Sequence, residues 1–120
     1  MSELNIKPLL RYRTMAAFRL TVETRSATRA AEELGISQPA VSQLLAALER
    51  AVGFSLFNRG AGRRMDPTDQ ARQLLSEVRE ILDAMAALER RVRELAGDEG
   101  GQDGADGGRG RRWQESMVER

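Results

Sequence analysis

The stretch SATRAAEELGISQPAVSQLLAALER, residues 26–50, decides the fold. It reads as a short helix, a tight turn and a second helix. Ser26 is placed to cap a helix over 27–34. Gly35 ends that helix, because only Gly enters the left-handed conformation without penalty. Ser37 caps the next helix, which runs to about Val52 and stops at Gly53. Pro39 is tolerated because it lies in the first turn. Ala30 and Ala31 are small where the two helices must cross closely. Ile36, Val41 and Leu44 plug the angle between them, and Leu34 closes it from the first helix. This is the spacing of a helix-turn-helix. The competing reading is an ordinary helical hairpin.

The second helix has two faces. Val41, Leu44, Leu45 and Leu48 make the buried one. The opposite face carries Gln38, Pro39, Ser42, Gln43, Ala46 and Arg50. Its leading end is short, polar and uncharged, whereas a merely solvated face carries Glu, Lys and Arg. Gln pairs bidentately with adenine, Ser bonds to several bases, and a Pro ring can touch a thymine methyl. Gln38, Pro39, Ser42 and Gln43 are therefore the expected base contacts. The free N–H groups at the helix start favour phosphate. Thr28, Arg29, Ser37 and Arg50 are expected on backbone phosphates, which fix register without reading sequence.

Outward from this core, a first helix is expected over 8–24, with Pro8 in its first turn. Met15, Phe18 and Val22 line up its apolar face. After Gly53, residues 54–59 and 63–67 read as two short strands around Gly60-Ala61-Gly62. Arg59, Arg63 and Arg64 make this hairpin basic and exposed, and Arg suits a narrow minor groove.

Residues 66–96 form one long helical pattern without Gly. Thr68 can cap it, and Asp69 suits its first turn. Ala71, Val78, Met85 and Val92 recur every seven residues. Leu74, Ile81, Leu88 and Leu95 do the same, offset by three. Leu75 and Leu82 widen the stripe. This heptad register predicts a helix about 42 Å long. One small domain cannot cover it, so a helix–helix dimer is expected. Leu74, Val78, Ile81, Met85, Leu88, Val92 and Leu95 are its predicted interface. Residues 97–110 hold 7 Gly in 14 positions and cannot bury enough apolar surface to order themselves. The expected divisions are thus 1–67, 68–96 and a disordered Gly/Asp/Arg-rich tail over 97–120.

Composition excludes whole classes of chemistry. The 120 residues contain no Cys and no His. Thiolate and imidazole metal sites, disulfides, Cys nucleophiles and Ser-His triads are ruled out. No recognisable catalytic set remains, and neither a cofactor nor a metal is expected. No apolar run approaches the roughly 20 residues that span a bilayer. The N-terminus lacks the features of a signal peptide, and a cytoplasmic, bacterial setting is expected. The net charge of +1 hides an asymmetry. Residues 1–65 carry 10 Lys+Arg against 5 Asp+Glu, and all but one of the chain's 19 basic residues are Arg. A basic half beside an acidic half fits a nucleic-acid partner.

Residues 9–95 resemble the N-terminal part of a LysR-type transcriptional regulator. The resemblance rests on Met15–Phe18–Val22, SATRAAEELGISQPAVSQ, LLAALERAVGFSLFNR, RRMDPT and the long helix. It implies a mainly α fold: a winged helix-turn-helix of three helices plus a small β-hairpin wing, then a long dimerisation helix. It implies base contacts at Gln38, Pro39, Ser42 and Gln43, a phosphate contact at Thr28 and a wing contact at Arg59. The long helix matches the linker helix through which such proteins dimerise. The chain departs from the family pattern at several points. Gln43 and Ala46 stand where basic residues are frequent, Arg25 where Gly is usual, and Ala27 where a larger apolar residue is common. DPTDQA replaces the more frequent LTxAG. The family continues into a larger α/β effector-binding domain, for which this chain has no room, so no effector ligand is expected in it.

Two functions from different classes are expected to compete. The first is a sequence-specific regulator that reads an inverted repeat in duplex DNA as a homodimer. The second is a truncated regulator that pairs its long helix with a full-length partner and poisons it. A molybdate-type regulator is a third assignment, against which the SQPAVS segment argues.

Overall fold

The computed structural model describes residues 5–58 and 64–97. A 3-10 turn, Lys7–Leu9, leads into α1 (Tyr12–Thr24), α2 (Ala27–Leu34) and α3 (Gln38–Val52). Two short strands follow, β1 (Phe57–Asn58) and β2 (Asp66–Pro67), and then α4 (Asp69–Leu95). The chain divides into two compact units, Met1–Arg79 and Glu80–Arg120. The expected disordered tail lies almost wholly outside the described residues, which end at Gly97.

The first unit is built on small and apolar residues that the helix spacing brings to one side. Phe18, Val41 and Leu56 are fully buried, as are Ala17, Ala30 and Ala71. Ala30 and Ala31 are both buried on α2, as a close helix crossing requires. Phe18 meets Phe57 edge-to-face, with ring centroids 6.3 Å apart and planes at 62°. That geometry suits the opposed charge of ring faces and edges. It also ties α1 to β1.

α1 begins four residues later than the sequence pattern predicts. Pro8 sits in the 3-10 turn, and Arg11 is extended (φ −105°, ψ 155°) immediately before Tyr12. The fixed φ of Pro opens either kind of helical turn, so its presence does not set where the α-helix starts. The strands are also shorter than expected. They pair antiparallel, Phe57 with Pro67 and Asn58 with Asp66. Beyond the Phe57–Pro67 pair the Thr68 N–H still donates to the Leu56 carbonyl at 3.0 Å, but the Leu56 N–H goes to a Glu49 carboxylate oxygen at 2.7 Å, and the ladder stops there.

α4 is capped as expected, with the Thr68 Oγ1 accepting the Ala71 N–H at 3.1 Å. Its apolar residues fall into two sets. Ala71, Leu75, Val78 and Leu82 are buried in the single chain. Ile81, Leu88, Val92 and Leu95 are 43%, 63%, 54% and 70% exposed. Leu74 and Met85 are half-buried. Val78 is the correction to the predicted interface: at 6% exposure it faces its own unit and has no surface left for a partner. The heptad pattern cannot separate the two sets, because both recur with helical period. Glu23 on α1 reinforces the early turns of α4. Its Oε2 accepts from Arg19 Nε at 3.1 Å and Arg79 Nη2 at 2.9 Å. Among the described residues, no helix is long and apolar enough to cross a membrane.

Candidate nucleic-acid interface

The helix-turn-helix is fixed by two side-chain caps and a backbone turn at Gly35, all legible in the sequence. The Ser26 Oγ accepts the Arg29 N–H at 3.0 Å. Gly35 adopts φ +71°, and the N–H groups of Gly35 and Ile36 both reach the Ala31 carbonyl, at 2.9 and 3.1 Å. The Ser37 Oγ accepts the Ala40 N–H at 3.1 Å. Ser37 therefore still holds an O–H to donate, while its oxygen caps the helix. α3 ends at Gly53, with φ +85°.

On α3, Val41, Leu45 and Leu48 are buried. Leu44, read from sequence as a core plug, is only half-buried, as are Ile36 and Leu34. Val41 alone of the three plugs is fully enclosed. Gln38, Pro39, Ser42, Gln43 and Arg50 are exposed, and Ala46 is half-buried. Gln38 and Ser42 are joined by a hydrogen bond, Nε2 to Oγ, at 3.1 Å. Thr28, Arg29 and Ser37 are also exposed, and Arg64 is exposed next to β2. Arg64 Nε lies 3.5 Å from Asp66 Oδ1, an open pair that leaves its guanidinium largely available. Arg59 and Arg63 lie outside the described residues.

Three supports of this face escape a reading by motif. The Glu49 Oε2 accepts the Leu56 N–H at 2.7 Å, which anchors β1 to α3. An acid in the last turn of a helix opposes the macrodipole, and that was the available signal of a specific partner. Arg25 takes the left-handed conformation (φ 59°, ψ 31°) at the end of α1. Its carbonyl accepts the Met65 N–H at 3.2 Å, and its Nη1 lies 3.5 Å from Asp66 Oδ1. Thr68 holds the other side of the hairpin base. Its N–H donates to the Leu56 carbonyl at 3.0 Å, and its hydroxyl donates to the Ser55 carbonyl at 2.9 Å. Among the described residues, no group of three acidic side chains is placed to hold a metal ion.

Three packed helices, a capped turn and a two-stranded antiparallel sheet define a winged helix-turn-helix protein. Residues 12–72, just over half of the chain, match the family described as bacterial regulatory helix-turn-helix protein, lysR family. The chain belongs to that family. The HTH-type transcriptional regulator IlvR of Caulobacter vibrioides is 45% identical over 78 residues, which cover 65% of this chain and 26% of the relative. The small neutral protease regulatory protein of Streptomyces coelicolor is 43% identical over 77 residues, or 63% of this chain and 24% of the relative. The chain thus spans about a quarter of the length of these relatives. Among solved structures, a CbnR_DBD–DNA complex is similar with a TM-score of 0.63 at 28% identity, covering 72% of this chain and 98% of that one. BenM_DBD bound to catB site 1 DNA gives a TM-score of 0.64 at 26% identity, covering 79% and 97%.

Proposed function

We propose that this chain is a sequence-specific transcriptional regulator that binds double-stranded DNA in the bacterial cytoplasm. The observation that carries the reading is the exposed, uncharged polar end of α3, held by the capped turn. A major groove about 12 Å wide admits a helix of this kind. Gln38, Pro39, Ser42 and Gln43 then face base edges. Thr28, Arg29, Ser37, Arg50 and Arg64 face phosphate, and Arg59 and Arg63 are assigned the same role from the sequence pattern. The DNA-bound structures similar to this chain, and the regulators among its relatives, support the same reading.

The exposed stripe of α4 favours a homodimer on an inverted repeat. Ile81, Leu88, Val92 and Leu95 leave an apolar seam that a second copy would cover. A two-fold dimer reads half-sites about one helical turn apart, or a multiple of it. A heterodimer with a longer regulator would use the same seam.

The test compares specific with random duplex DNA. Gln43→Ala is expected to weaken a selected site about tenfold, the scale of one good base contact, and to leave random duplex binding unchanged. Equal loss on both would remove base reading from the proposal.

A further inference from the structure

Gln38 and Ser42 lie one turn apart on the exposed face of α3, joined by the 3.1 Å bond from Gln38 Nε2 to Ser42 Oγ. Their donors and acceptors can be counted. A Gln amide has two N–H donors and a carbonyl oxygen, and a Ser hydroxyl has one O–H donor and two acceptor sites. The observed bond uses one amide N–H and one Oγ acceptor site. Among the described residues, a second N–H, Oε1, one Oγ acceptor site and the Ser42 O–H remain.

A bidentate contact with adenine needs one N–H, for N7, and one oxygen, for the N6 amino group. Both must lie on the same edge of the amide. The N–H syn to the oxygen lies on that edge; the anti N–H points away. Giving the anti N–H to Ser42 leaves the adenine-reading edge intact and restricts rotation of the amide plane. Among the described residues, Gln43 has no such partner for its amide, so it loses more side-chain freedom on meeting a base.

We propose that Gln38 and Ser42 act as a single reading unit for adenine in the major groove. Ser42 accepts one Gln38 N–H and orients the amide, whose other edge pairs with adenine. The Ser42 O–H donates to an acceptor on the neighbouring base pair, such as thymine O4 or guanine O6. Ser42 is a positioning residue at the first base and a contact at the second. This rests on the DNA-reading function proposed above.

The experiment titrates the full chain against four duplexes that differ at one base pair. That base pair is the one whose preference disappears in Gln38→Ala. The wild type is expected to favour adenine there about tenfold over the next base. Ser42→Ala is expected to cut that preference to about threefold, although Gln38 is unchanged. Ser42→Thr, which keeps the hydroxyl, is expected to retain it. Both side chains are exposed, so thermal unfolding should be the same for all four proteins. A full adenine preference in Ser42→Ala would overturn the coupling and leave the DNA-reading function standing. A preference for another base would overturn the adenine assignment. A wild type that distinguishes no base at any position would overturn both the coupling and the function it rests on.

Discussion

Glu49 accepts the backbone N–H of Leu56 through a 2.7 Å bond that fastens the first strand to the end of the exposed helix. Leu56 is fully buried, so this N–H has no access to water. Removing the carboxylate would leave a buried donor unpaired, which costs about 1–3 kcal/mol. Glu49→Ala is therefore expected to lower stability by about 2 kcal/mol, and Glu49→Gln, which keeps one acceptor, by about 1 kcal/mol. Urea unfolding followed by circular dichroism measures both. An unchanged midpoint in Glu49→Ala would show that the bond contributes nothing to the fold.

Arg25 is the one non-Gly residue with positive φ among the described residues. A left-handed side chain costs about 1–2 kcal/mol, and Gly gives part of this back through the entropy of the unfolded chain. The open pair with Asp66, at 3.5 Å, offsets little of the strain. Arg25→Gly is expected to stabilise the protein by about 0.5–1 kcal/mol. A thermal midpoint that rises by several degrees agrees with this, and a fall would assign Arg25 a stabilising contact larger than its strain.

These two residues also mark where sequence reading ends. Ser26, Gly35, Ser37 and Gly53 announce the boundaries of α2 and α3 because each acts on backbone within a few positions of itself. The polar face of α3 follows from the same local periodicity. Glu49 and Arg25 act on Leu56, Met65 and Asp66, which only the tertiary fold brings near. α4 fails in another way. Its apolar residues serve two surfaces, and a heptad count merges Val78 with Ile81 although one is buried and the other exposed. Pro8 marks the onset of a turn without saying which helix type follows.

The two surfaces of α4 should respond differently to charge. Val78→Glu places a carboxylate at a buried position of the first unit, which costs several kcal/mol. It is expected to unfold that unit in circular dichroism. Leu88→Glu alters a side chain that is 63% exposed. It is expected to keep the helical signal and to shift sedimentation from dimer to monomer. A monomeric wild type, or a dimer indifferent to Leu88→Glu, would remove the seam from the account.

Arg64 stands exposed beside β2, and among the described residues only the open Asp66 pair holds it. A phosphate contact there contributes about one unit to the slope of log affinity against log salt. Arg64→Ala is expected to weaken specific and random duplexes alike and to reduce that slope by about 1. An unchanged slope would place Arg64 away from the backbone.

Base reading by the polar face of α3 is tested most directly by selecting duplexes from a random pool with the purified chain at near-physiological salt. Enrichment of a short inverted repeat is expected, with loss of base preference within each half-site when Gln38 and Gln43 are both changed to Ala. Retention of DNA with no enriched sequence would contradict it, leaving phosphate binding without base reading.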